Sequence, residues 1–303
     1  MQLASLAAAA VLSASAVARA QPDAPAPYVL RDTEVHVLHA AHLDRDYEID
    51  IALPPSYASS PDRKYPVVFV TDAPYAFPLT RAIAARVGGH SKALPEFILV
   101  GLGYAKGDTP EYSRRRDYTP SANGDKDARS DMPGRAVAFG QAESYRRFVA
   151  EEVFPFIAAH WRADMTHRVF AGHSYGSLWG AYVLANTPGM FEGYVLGSPS
   201  LWFDHRLMFA QEKAYAASHK DLRADVYLGA GALEARAPKS APHDPRYSKD
   251  EDMVADARDF ARALASRRYP SLRVRTEVVA DENHLTVAPA LITHGLEWTL
   301  APR

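Results

Sequence analysis

"RVFAGHSYGSLWGAYVLANTPGMF", residues 168–191, changes its periodicity in the middle. It opens as a β-branched and aromatic run that suits a buried strand, and from residue 177 its apolar side chains recur at helical spacing. Between the two lies Gly172-His173-Ser174-Tyr175-Gly176, with a glycine two residues to either side of a serine. Where a strand turns directly into a helix, the two backbones pass too close for a Cβ at either glycine, and the serine hydroxyl stands exposed on a strained turn. The bland alternative is a tight turn with an incidental serine. The strand, turn and helix context favours a nucleophile at Ser174.

The rest of the chain repeats the same alternation. Continuous apolar runs at residues 66–71, 96–103, 168–172, 193–199, 224–231 and 272–280 suit strands buried on both faces of a largely parallel sheet. Two earlier stretches, 33–40 and 46–53, alternate apolar and polar residues and predict an antiparallel edge hairpin. Helical spacing over 141–160, 177–187, 204–218, 249–268 and 287–299 separates the later runs, so the expected class is α/β. Residues 104–140 break the pattern, being polar, charged and rich in Gly and Pro. A loop of that length is expected to be functional or mobile, with room to lie over the carboxyl ends of the strands where ligands bind in such folds.

Composition narrows the function classes. With 303 residues, 48% of them hydrophobic, the chain can bury a core without metals or disulfides. A formal charge of −2 provides no field to gather nucleic acid, so a small molecule is the expected partner. The absence of cysteine excludes thiol catalysis and thiolate metal sites. His36, His39 and His42 have no accompanying Cys or acid in the pattern of a metal site, and neither a metal nor a cofactor is expected. Residues 1–20 combine an apolar stretch, Leu3 to Val17, with Ala18-Arg19-Ala20, and read as a secretory signal peptide although no Lys or Arg precedes the apolar stretch. Residues 21–29 read as a proline-rich flexible leader and 30–303 as a single domain, periplasmic or secreted, with no membrane span once the signal is removed.

A serine hydroxyl needs a base, and the base and its acid are expected after the nucleophile in chain order, each just past the carboxyl end of a strand. His284, between the last strand and the last helix, fits the base; His294 falls inside that helix. Glu234 is the first carboxylate after the strand at 224–231 and the leading candidate for the acid. Asp250, Asp252 and Asp256 compete with it, as does a Ser/His pair with no strong acid. Two backbone N–H groups should bind the oxyanion, one from Tyr175 and one from the loop after residue 71. Pro74 has no N–H, which leaves Ala73 or Tyr75. The "LGSPS" after residue 194 lacks the elbow spacing and reads as a structural loop.

These residues, together with "YPVVFVTDAPYAFPL", "RRRDYTP", "GHSYGSLWGAYVL", "GSPSLWFD" and the late "ENH", resemble the putative-esterase family of α/β-hydrolases, nearest its siderophore-esterase-like branch. The resemblance spans most of residues 30–300. It implies an α/β-hydrolase fold with about eight mostly parallel strands and helices on both faces, Ser174 as nucleophile, His284 as base, Tyr175 as oxyanion donor and Glu234 at a Gly-x-x-Glu position where some members carry their acid. It also allows Arg114, Arg115 and Arg116 to receive an anionic ligand, although a charge run in a loop more often faces solvent. Trp202 is expected either as a wall of the acyl pocket or as a core residue. The resulting expectation is a serine esterase acting through an acyl-enzyme on a small ester, siderophore-type among the candidates. An acyltransferase with the same site and a silent binding module on the same fold are the alternatives.

Overall fold

A computed structural model of the chain describes residues 27–88 and 94–302. The chain divides into Met1–Arg31, of which residues 27–31 are described and carry no helix or strand, and Asp32–Arg303. The signal peptide read at 1–20, and most of the leader read at 21–29, lie outside the described residues. Among the described residues no helix is long and apolar enough to cross a membrane.

Asp32–Arg303 is organised on one sheet of eight strands, β1 (Thr33–Ala40), β2 (Arg45–Ala52), β3 (Tyr65–Thr71), β4 (Ile98–Ala105), β5 (Ala163–His173), β6 (Gly193–Gly197), β7 (Ala224–Gly231) and β8 (Leu272–Val279), in the order β1-β2-β4-β3-β5-β6-β7-β8. The hairpin β1-β2 and the β2-β4 pair are antiparallel and all later pairs are parallel. The continuous apolar runs have a direct cause. Val67, Phe69, Phe170, Leu196 and Val226 belong to one buried cluster, and the intervening Val68, Val70, Val169, Val195 and Tyr227 to a second on the opposite face. A strand covered on both sides has no polar face to display, so its period-2 signal vanishes. The edge hairpin keeps it: β2 buries Tyr47, Ile49 and Ile51 and turns the residues between them outward.

One face is covered by α3 (Ala142–Phe148), α4 (Phe154–His160), α5 (Tyr175–Asn186), α6 (Phe203–Ser218) and α7 (Met253–Ser266), the other by α1 (Ala73–Ile83) and α8 (Ala288–Thr299). The expected helix at 141–160 is two helices joined by a π-helical turn, Val149–Val153, ahead of Pro155, which has no N–H to return to the preceding turn.

Two helices escape the sequence pattern. In α1, Pro74 sits in the first turn, where a missing N–H costs nothing, but Pro74 and Pro78 together read as loop residues. The other, α2 (Pro110–Tyr118), lies inside the segment read as a loop. Its sequence, PEYSRRRDY, has no apolar stripe because it packs through ion pairs: Arg116, 1% exposed, binds Asp117 at 2.7 Å and Asp108 at 2.5 Å. Thr109 caps it by accepting from the Tyr112 N–H at 3.2 Å.

Candidate active site

The carboxyl ends of β3, β5, β6, β7 and β8 supply the site. At the end of β5, Ser174 takes φ 58° and ψ −121°, a strained conformation for a residue with a Cβ, and α5 begins at the next residue. The flanking glycines are forced by contact. A Cβ on Gly172 would stand 2.7 Å from the Gly176 carbonyl carbon, and one on Gly176 would stand 2.3 Å from Thr71 Oγ1. The second glycine is thus required by the end of β3, an element distant in the chain.

Ser174 and His284 line the same cleft. His284 Nδ1 lies 2.6 Å from Glu234 Oε2, and the other carboxylate oxygen accepts from Ser198 Oγ at 2.6 Å and the Gly231 N–H at 2.7 Å. Burial by itself would raise the Glu234 carboxyl, but the hydrogen bonds from His284, Ser198 and Gly231 outweigh it and hold the group below the usual carboxylate range. An ionised, fully bonded carboxylate at Nδ1 keeps the proton on that nitrogen and leaves Nε2 with a lone pair. Of the competing acids, Asp252 caps α7 through the Ala255 N–H at 2.8 Å and Asp256 pairs with Arg206 at 3.0 Å, while Asp250 lines the cleft.

His173, beside Ser174, is buried and packs its ring on that of His284, 4.5 Å between centroids. Its Nε2 has no hydrogen-bond partner among the described residues. Burial, reinforced by the neighbouring His284, pushes its imidazole down to about 3, so it is neutral at any working pH. Its ring lines the cleft beside Ser174.

For the oxyanion, Tyr175 is the first residue of α5 and its N–H has no acceptor within the helix. On the facing loop Ala73 is likewise the first residue of α1, whereas the Tyr75 N–H already donates to the Asp72 carbonyl at 3.1 Å. Of the two candidate donors, the Tyr75 N–H is thus the one already engaged.

The arginine run separates by helical geometry into three environments. Arg114 lines the cleft and donates through Nε to Asp72 Oδ1 at 2.8 Å. Arg115 turns away, donating to the Arg129 carbonyl at 3.0 Å. The expectation of a ligand contact fails for Arg116, which is buried in the Asp108/Asp117 network, and the reading of the run as a solvated loop fails with it. Trp202 is partly buried and lines the cleft on the side of Ser200 and Met253. The "LGSPS" loop is also more than a connector, since Ser198 holds Glu234 and Ser200 Oγ lies 3.4 Å from Ser174 Oγ. The only signal for this in the sequence was a pair of serines at the carboxyl end of a strand.

The cleft has two arms that meet at Ser174, His284 and Leu285. One, about 380 Å³, runs past Tyr75, Tyr104 and Arg114, and the other, about 490 Å³, runs past Ser200, Trp202 and Tyr247. Leu285, 86% exposed, forms the lip between them. His36, His39 and His42 bond to three different carboxylates, those of Glu34, Asp46 and Glu151.

Comparison with known proteins gives a consistent result. The profile of the family described as "Putative esterase" matches residues 40–267. The chain is similar to the ferri-bacillibactin esterase BesA of Bacillus subtilis, 28% identical over 283 residues that cover 91% of this chain and 92% of that protein. It is also similar to the siderophore enterobactin esterase of Emericella nidulans, 24% identical over 85% of this chain and 90% of that one. Among solved structures, the BES protein from Bacillus cereus superposes with a TM-score of 0.74 at 24% identity, covering 92% of this chain and all of that one. The siderophore hydrolase EstA from Aspergillus nidulans gives 0.69 at 21% identity, with 92% and 98% covered, and both structures bear on the fold alone.

Proposed function

Because the chain belongs to the "Putative esterase" family and is a carboxylic ester hydrolase, we propose that Ser174, His284 and Glu234 form its catalytic triad. The observation that carries this reading is the 2.6 Å contact between His284 and Glu234 in the cleft that Ser174 also lines. In the proposed mechanism, Ser174 Oγ attacks the ester carbonyl while His284 Nε2 takes its proton, and Glu234 stabilises the imidazolium through Nδ1–H. The N–H groups of Tyr175 and Ala73 receive the oxyanion. Collapse expels the alcohol, protonated by His284, and leaves an acyl-enzyme. Water, deprotonated by the same histidine, then releases the acid.

The substrate proposed is a bulky, siderophore-type ester. Two relatives are described as siderophore or ferri-bacillibactin esterases, and two arms meeting at Ser174 give room on both sides of a scissile bond. The apolar stretch and Ala-Arg-Ala of residues 1–20 support export to the periplasm or beyond, with 21–29 as leader and 30–303 as the working domain. Incubation with a fluorophosphonate followed by intact-mass analysis and peptide mapping tests the site without the natural substrate. A single adduct on Ser174, absent in Ser174→Ala, is expected. Retained ester turnover in Ser174→Ala overturns the assignment.

A further inference from the structure

The loop that carries Ala73 is held by one carboxylate. Asp72 leaves β3 at φ 58° and ψ 44°, in the left-handed region that, among residues with a Cβ, Asp and Asn adopt most readily. Its side chain is 0% exposed and is gripped from two other elements. Oδ1 accepts from Tyr104 Oη on β4 at 2.8 Å and from Arg114 Nε on α2 at 2.8 Å. Oδ2 is buried with no hydrogen-bond partner among the described residues, and it faces the first turn of α5: a Cβ on Gly176 would lie 3.2 Å from it. The positive end of that 12-residue helix lies beside an oxygen left without a donor, and burial outweighs the contacts with Arg114 and Tyr104 and raises the carboxyl above its usual range.

The carboxylate thus lies between the two turns from which the oxyanion donors come. One oxygen fixes the Ala73 loop to β4 and α2, and the other rests against the helix that begins at Tyr175. Arg114 is in turn steadied against the Tyr175 ring, 5.9 Å from its centroid. From this geometry we infer that Asp72 is a positioning residue for the esterase reaction, which sets the spacing of the Ala73 and Tyr175 N–H groups, with Tyr104 and Arg114 as its anchors. The inference rests on the proposed roles of Ser174, Ala73 and Tyr175.

Three substitutions separate the tether from the backbone strain. Asp72→Asn keeps an acceptor for Tyr104 and Arg114 and tolerates the left-handed conformation. Asp72→Gly relieves the strain but has no tether, and Asp72→Ala has neither. The readouts are kcat and KM on a chromogenic aryl ester and the rate of phosphonylation by a fluorophosphonate, which passes through the same oxyanion geometry. Asp72→Gly and Asp72→Ala are expected to lose about 10- to 100-fold in kcat and in phosphonylation rate, less than the 10²–10³ of deleting a donor outright, with KM changed by under about threefold. Asp72→Asn should recover to within about fivefold of the parent. Should Asp72→Ala fail to fold, the comparison of Gly with Asn still decides. Equal activity of Asp72→Gly and Asp72→Asn, or a loss confined to KM, overturns the inference while Ser174→Ala remains inactive. Turnover by Ser174→Ala would instead remove the reading beneath it.

Discussion

Replacing Glu234 by glutamine preserves shape and removes charge, and the three contacts of that side chain set the size of the effect. Oε1 accepts from the Gly231 N–H at 2.7 Å and from Ser198 Oγ at 2.6 Å, while Oε2 faces His284 Nδ1 at 2.6 Å. A glutamine must direct its NH₂ one way or the other. Turned toward Gly231, it sets two donors against each other and leaves a buried backbone N–H unpaired, at a cost of about 1–3 kcal/mol. Turned toward His284, it forces Nδ1 to accept, which moves the ring proton to Nε2 and abolishes the lone pair Ser174 needs. The second orientation is therefore favoured about fivefold to 150-fold, and the remaining molecules also lack the charge that stabilises the imidazolium. The expected loss in kcat is about 10²–10⁴, with KM little changed.

Glu234→Ala cannot invert the tautomer, so it should lose less rate than the glutamine variant while unfolding at a lower temperature. Steady-state kinetics on an aryl ester, with thermal melts of all three proteins, measure both effects. A Glu234→Gln enzyme retaining a tenth or more of the parental kcat would refute the triad. The melts carry a pH signature as well. The folded-state pKa of Glu234 is depressed, so its contribution is present above the unfolded value of about 4.3 and is lost as pH falls through the folded one. The gap in melting temperature between parent and Glu234→Gln should close over that acid range.

Gly176→Ala puts a methyl group 2.3 Å from Thr71 Oγ1 and should cost about 1–3 kcal/mol by overpacking, with activity falling as the elbow moves away from the end of β3. An unchanged melting temperature and kcat would contradict that packing. Arg116→Met leaves Asp117 buried without its cation, held only by the hydroxyls of Tyr47 and Ser113, while Asp108 keeps Arg135, and should destabilise the protein by about 3 kcal/mol in denaturant titrations. A shift in denaturant midpoint no larger than that of a surface variant would show that the network under α2 is not structural.

The residues around Ser174 and the order of strands and helices were legible in the sequence because they depend on local rules. Buried parallel strands read as apolar runs, a strand-to-helix elbow needs glycine on both sides of its nucleophile, and a base and acid follow the carboxyl ends of later strands. Those rules led to Ser174, His284 and Glu234, which the fold brings to one cleft from three separate loops. They could not reveal α2, whose buried face is held by ion pairs and carries no apolar stripe. Nor could they divide Arg114, Arg115 and Arg116, since a helix turns about 100° per residue and sends three neighbours to three environments. The contacts of Asp72, Ser198 and Ser200 arose only in the tertiary structure. Each side chain is unremarkable in its own segment and acquires its partner from a strand or helix distant in the chain, where hydrogen-bond geometry, invisible to periodicity, decides what it does.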